Sequence, residues 1–277
     1  MKSAMQLMVF VILAFLIADP ARAQSAEDFH PFLTDKFNIG IGFYRPDKNL
    51  TLRVDGTEPE EEIDFDESFN LDEKETTGQL NFRWRFGEKW SFWGQYWNVD
   101  SSGGAVLEED LEWEDVIFKE GTFANAGFDV SIARLFFGRT FHTGPQHEFG
   151  LGGGFHWLEI SAFVEGQILT NFAETEFARE SVSAGFPLPN IGGWYMYSWS
   201  PKWLVQARVD WLSATVGDYS GGLWNVQAGI NWQPTRHFGI GLQYQVFDLN
   251  VDVDSEDWNG KAQAKQHGPL LTLNATW

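Results

Sequence analysis

From residue 37 onward, apolar and polar side chains alternate with a period of two over one stretch after another. Leu80, Phe82, Trp84 and Phe86 alternate with Asn81, Arg83 and Arg85, and Val205, Ala207, Val209 and Trp211 with Gln206, Arg208 and Asp210. Val226, Ala228, Ile230 and Trp232 interleave with Asn225, Gln227, Gly229 and Asn231, and Ile240, Leu242, Tyr244 and Val246 with Gly241, Gln243 and Gln245. Such a period places the two sets on opposite faces of a β-strand, and a slip of one residue would exchange the faces. The pattern predicts strands at 37–55, 76–87, 89–100, 122–141, 147–164, 188–199, 203–213, 222–233, 237–250 and 261–277. The chain therefore reads as all-β with about ten strands. Splitting the first at Pro46-Asp47-Lys48-Asn49 and adding one from 108–120 would make twelve.

The connections differ at the two ends of the strands. Four are short and carry aromatics on their shoulders: Phe86 to Trp90, Trp199 to Trp203, Trp232 to Phe238, and the looser Phe141 to Phe149 with Gly144-Pro145. Gly and Pro punctuate turns for backbone reasons, and in each well-patterned strand the apolar set is in phase with the turn aromatic. The opposite connections are longer and acidic. Residues 55–75 hold eleven acids and one lysine, 108–120 seven acids and one lysine, and 248–260 five acids, while 165–187 is mixed. Two strands break phase: Arg134 falls on the face set by Val130 and Ile132, and Glu159 on that of Phe155 and Trp157. A bulge, or a rim that projects beyond an apolar layer, accounts for either.

The first residues bear on location. Lys2, an apolar run from Leu7 to Ala18 and the small-residue site Ala21-Arg22-Ala23 read as an export signal over 1–23, too short for a spanning helix. The mature chain would begin at Gln24, with a lead-in over 24–36 on the exported side of the membrane. Its removal takes Lys2, Arg22 and Asp19 from 19 basic and 39 acidic residues, leaving 17 and 38 and a net charge of −21. That sign excludes nucleic acid as a partner. Without cysteine there is neither a disulfide framework nor a cysteine-linked lipid anchor. After Gln24 no apolar run is long enough for a membrane helix, but a membrane β-barrel passes that test unnoticed because only alternate side chains meet lipid.

The closing segment alternates Leu271, Leu273, Ala275 and Trp277 with Thr272, Asn274 and Thr276, so the last strand finishes on an aromatic. Together with the export signal, the alternating strands and the aromatic turns, it resembles the small β-barrel proteins of Gram-negative outer membranes. The resemblance implies a transmembrane antiparallel up-and-down β-barrel over 37–277, with short turns in the periplasm and long loops outside the cell. It implies residence in the cell outer membrane after signal cleavage, among outer-membrane lipids and lipopolysaccharide. It also implies escort by periplasmic chaperones and insertion by the barrel-assembly machinery, with Trp277 as the assembly signal. No residue motif of a particular enzyme or porin family is visible.

The polar faces then become the lumen, and Arg83, Arg85, His156, Arg208, Asp210 and Gln243 become the residues that would fill or constrict it. About ten strands leave little room, since eight are filled by side chains and an open channel needs about sixteen. A satisfied polar core is the leading expectation, and a narrow solute path with an arginine constriction the alternative. Catalysis is not expected: His156 and Ser161 are opposite in phase, and His142, His147 and His237 fall in the turns. No cofactor is expected, apart from a divalent cation at Asp252, Asp254, Glu256 and Asp257, whose spacing departs from a calcium loop, or one shared with lipopolysaccharide phosphates. The function expected is that of a structural or surface-interaction barrel with acidic outer loops. A third reading, from outside membrane proteins, is a secreted β-sandwich that binds glycans through exposed tryptophan.

Overall fold

The strands pair edge to edge into a closed ring in a computed structural model, which describes residues 29–54, 63–69, 71, 75–113, 116–144, 146–169, 175–217, 219–254 and 259–277. In chain order the elements are α1 (Pro31–Thr34), β1 (Phe37–Tyr44), β2 (Asp47–Val54), β3 (Ile63–Asp64), α2 (Phe65–Phe69), β4 (Thr77–Phe86) and β5 (Trp90–Val106). There follow β6 (Leu111–Trp113), β7 (Val116–Phe118), β8 (Phe123–Thr143), β9 (His147–Leu169), β10 (Thr175–Ser200), β11 (Trp203–Val216), β12 (Tyr219–Trp232), β13 (Phe238–Asp254) and β14 (Asn259–Thr276). Neighbours in the ring run antiparallel in the order β1-β4-β5-β8-β9-β10-β11-β12-β13-β14, and β14 returns to β1. The ring thus has ten strands among the described residues.

Pro46 does not split the first strand into two ring members. β1 pairs with β14 up to Tyr44↔Leu270, β2 resumes in the same register at Asp47↔His267, and the Arg45 amide donates to the Pro269 carbonyl between them at 3.0 Å. Segment 108–120 contributes the small hairpin β6–β7, which lies off the ring and buries Trp113 and Phe118. The expected mixed loop at 165–187 is instead largely strand. β9 and β10 stay paired from Tyr197↔His147 to Thr175↔Leu169, with Val182, Phe186 and Leu188 buried on the inward side. Small residues, Ser181, Ser183 and Gly185, occupy the outward positions opposite them.

Along β13 the inward residues are Gly239, Gly241, Gln243, Gln245, then Phe247, Leu249, Val251 and Val253; the outward ones are Phe238, Ile240, Leu242, Tyr244, Val246, then Asp248, Asn250, Asp252 and Asp254. The period never breaks, but polarity inverts between residues 246 and 248. Cross-strand register carries the inversion around the wall. Tyr96, Ala133, Trp157 and Pro187 form one outward row, and the next row is Asn98, Ser131, Glu159 and Gly185. Both apparent phase breaks resolve here without a bulge. Val130 and Ile132 belong to the interior, where Arg134 joins them, and Glu159 stands just beyond the apolar belt.

The outward apolar belt is bounded by aromatics eight residues apart on several strands: Phe149 and Trp157, Trp203 and Trp211, Trp232 and Trp224. Trp203 stacks on Trp232 at 6.2 Å and Trp211 meets Trp224 at 6.2 Å, one pair at each margin. Eight residues rising ~3.3 Å each on a strand tilted by ~40° span roughly 20 Å, close to the ~25 Å apolar band of an outer-membrane barrel.

Beyond the belt, toward the long loops, the wall separates into two sheets. β4 ends its pairing with β5 at Gln79↔Trp97 although β5 continues to Val106, and β10 ends its pairing with β11 at Ile191↔Trp211. Pro187 and Pro189 follow on β10, where two missing amides cannot extend a ladder. The inward faces of the two sheets close over an apolar core that includes Phe65 and Phe69 of α2 with Trp97, Trp113, Phe118, Phe128, Phe186 and Phe247.

Candidate functional site

Within the belt the interior is polar and lies in two charged layers. At the turn end, the lead-in segment enters the barrel as α1 and buries Phe32 and Leu33 against Phe136, Trp194, Met196 and Leu204. A single helical turn leaves its carbonyls without partners, and two arginines of β4 supply them. Arg83 donates to the Phe32 carbonyl at 3.0 Å, and Arg85 to the carbonyls of Leu33 and, at 3.2 Å, Phe32. Both guanidiniums also reach the buried carboxylate of Glu148, Arg85 at 2.5 Å, and the Trp194 indole donates to the same carboxylate at 2.7 Å. Arg83 lies over the Trp93 ring at 4.4 Å. Glycines make the room: a Cβ on Gly150 would stand 2.1 Å from the Trp194 ring.

The second layer sits higher in the belt. Arg134 forks onto Asp210, Nε to Oδ2 at 2.6 Å and Nη2 to Oδ1 at 2.8 Å, with both side chains fully buried. Arg208 stands 3.6 Å from the same carboxylate and donates to Gln95 at 2.6 Å. His156 lies 4.0 Å from Asp210 and 3.1 Å from the Asn225 amide. Amides continue the network around the wall, Gln206 donating to Gln243 at 2.9 Å and Gln243 to the Thr272 hydroxyl at 3.4 Å. Removing one member of such a buried pair strands a charge, so each layer is coupled to the packing around it.

Of the sequence-predicted lumen residues, Arg83 and Arg85 therefore meet in the lower layer, Arg208, Asp210 and His156 in the upper, and Gln243 on the wall between them. Sequence reading missed Glu148 and Arg134, the partners on which both layers turn. Glu148 is in phase with His156 on β9, a signal available from the sequence. Arg134 was hidden because the apolar face it shares is an interior one. Ser161 is exposed on the outward face while His156 is buried on the inward face, so the two do not meet. His147 contacts the Tyr195 hydroxyl at 2.7 Å and His237 the Thr276 carbonyl at 2.9 Å, both at the turn end.

Of the acidic set near the last loop, Asp252 and Asp254 point outward on β13, with Lys261 opposite Asp252, and Glu256 and Asp257 lie outside the described residues. Among the described residues no cluster of three His, Asp or Glu side chains has metal-binding geometry. In the loop bearing β6 and β7, Lys119 and the Glu120 amide hydrogen-bond Asp110 and hold its carboxyl below the usual carboxylate range. Trp277 exchanges both backbone hydrogen bonds with Phe37, at 2.9 and 3.1 Å, and stacks on its ring at 5.8 Å, sealing the ring of strands at the turn end. A concavity of about 830 Å³ lies on the outer wall among Leu151, Ile191, Val209, Ala228 and Leu242.

No protein-family model and no curated protein matches the sequence. Among solved structures, the outer membrane protease OmpT from Escherichia coli aligns over 92% of this chain and 99% of its own with a TM-score of 0.57 and 10% identity. The toluene transporter TodX of Pseudomonas putida aligns over 89% and 91% with a TM-score of 0.34 and 9% identity. The attachment invasion locus protein Ail of Yersinia pestis aligns over 86% and 98%, with 0.26 and 14%. At such identities the likeness is one of fold, and no residue role transfers with it. By its closed ring, its aromatic-edged apolar belt and its superposition on OmpT, the chain has the fold of the Gram-negative outer-membrane β-barrel proteins.

Proposed function

We propose that the protein is an exported outer-membrane barrel of structural or surface-interaction type, with its short turns in the periplasm and its acidic loops outside the cell. One observation carries this reading: the interior is occupied at three successive levels. Phe32 and Leu33 of α1 sit on the Arg83–Arg85–Glu148 layer, the Arg134–Asp210–Arg208 layer follows, and the apolar core of the two outer sheets lies above. A solute path would have to break all three. The interacting surface is then the outward, water-facing part of the long strands, with Glu159, Glu165, Asp252 and Asp254, together with the loops they carry.

Planar-bilayer recording of the purified protein tests the reading. No steady current is expected. A steady current that changes in Arg208→Ala would overturn it in favour of a narrow solute channel. Location is tested separately by heat-modifiable migration and recovery in the outer-membrane fraction, and signal removal by an N-terminus at Gln24.

A further inference from the structure

Charge does not balance in the barrel interior. Among the described residues of the belt, the inward faces carry four guanidiniums, Arg83, Arg85, Arg134 and Arg208, against two carboxylates, Glu148 and Asp210. Each layer has two arginines sharing one acid, so each is one positive charge in excess. In a low-dielectric interior, amide and hydroxyl dipoles solvate such an excess but do not neutralise it.

Arg83 from the lower layer and Arg208 from the upper border one internal cavity of about 40 Å³, walled also by Trp93, Gln227, Gln243 and Asn274. Among the described residues the Nε–H of neither arginine has a hydrogen-bond partner, that of Arg208 standing 3.6 Å from the Asp210 carboxylate, and both side chains are largely buried, 5% and 12% exposed. A water needs ~10–15 Å³ of such space, so the cavity holds about three waters, or one small ion with a water. A phosphate or an organic acid with its hydrogen-bonding shell is too large.

We propose that this cavity is a binding site for a small monovalent inorganic anion of halide size, held between Arg83 and Arg208. One arginine from each charge-excess layer borders it, and Gln227 and Asn274 line the same space. The ion would be structural: it neutralises the space between the layers and ties β4 to β11 across the lumen.

Bromide is the probe. Protein refolded into detergent micelles in sodium bromide is expected to show a bromine anomalous peak between Arg83 and Arg208 in the crystal. Its thermal midpoint should lie about 3–8 °C above that of protein refolded in sodium gluconate at equal ionic strength. Arg208→Gln should abolish that difference. Gln227→Glu places a carboxylate on the cavity wall and should raise the midpoint in gluconate to the bromide value, leaving no halide dependence. The proposal is overturned if the cavity shows water density without an anomalous peak and the two midpoints coincide. It is also overturned if folded Gln227→Glu keeps the full bromide effect.

Discussion

Asp210→Asn removes the only described carboxylate from the point where two buried guanidiniums converge, at almost constant volume. Arg134 is the more dependent partner, since its fork uses both carboxylate oxygens at 2.6 and 2.8 Å and neither side chain is exposed. Breaking a fully buried pair by removing one partner costs about 3–5 kcal/mol. Arg208 stands 3.6 Å away and loses the same counter-charge, which places the expected loss at the upper end, about 5 kcal/mol. Arg208→Gln, compared in gluconate without halide, is the informative contrast, because it leaves Arg134 and Asp210 matched one to one and forfeits chiefly the hydrogen bond to Gln95, about 1.5 kcal/mol. Equilibrium urea unfolding in lipid vesicles, followed by tryptophan emission and checked by heat-modifiable migration, measures both. With a constant slope the midpoints give the difference directly. Equal losses from Asp210→Asn and Arg208→Gln, or a loss below about 1 kcal/mol for Asp210→Asn, would refute the reading that one acid anchors two arginines.

Two further outcomes are expected. Leu242→Arg, in the outward apolar belt, should cost about 2–4 kcal/mol in vesicle unfolding, whereas Asn250→Arg, eight residues along the same face of β13, should cost under about 0.5 kcal/mol. Comparable costs would place the polarity inversion somewhere other than the membrane margin. Burial lowers the His30 pKa from 6.5 to about 4, against the pull of Asp35, so the folded chain keeps this imidazole neutral where the unfolded chain binds a proton. The stability it contributes is complete above pH 6.5 and is lost as pH falls toward 4, on the order of 3 kcal/mol. His30→Phe should therefore flatten the unfolding midpoint between pH 7 and 4 relative to wild type, and identical slopes for the two would count against a buried, neutral His30.

The ring was legible because its information is local. A period of two fixes which residues share a face, and the aromatic turns near Trp90, Trp203 and Phe238 fix where each strand reverses, so ten strands and an antiparallel order follow without long-range knowledge. The layers were only half legible. Arg83, Arg85, Arg208 and Asp210 stand on polar faces and announce themselves, but their partners Glu148 and Arg134 come from strands remote in sequence, and pairing across a lumen leaves no trace in spacing. The entry of α1 into the barrel is equally silent, since Pro31, Phe32 and Leu33 read as an ordinary lead-in until Arg83 and Arg85 are seen to claim its carbonyls.

The phase breaks at Arg134 and Glu159 show where periodicity misleads. Period assigns residues to faces, but which face meets lipid depends on the medium outside, and a strand longer than the bilayer passes through two media. Val130 and Ile132 are apolar because the inside is apolar there; Ile240 and Leu242 are apolar because the outside is. A single rule, apolar means outward, is correct for the lower half of β13 and wrong for its upper half. The point of inversion is where the outward surface ceases to be apolar. It falls after Val246 on β13 and after Trp157 on β9, on rows that the cross-strand register runs around the wall, so the sequence carries a membrane boundary once the strands are aligned. Above that boundary the two sheets turn their apolar residues inward onto a shared core and their polar residues outward, the reverse of the belt below, within one and the same β-barrel chain.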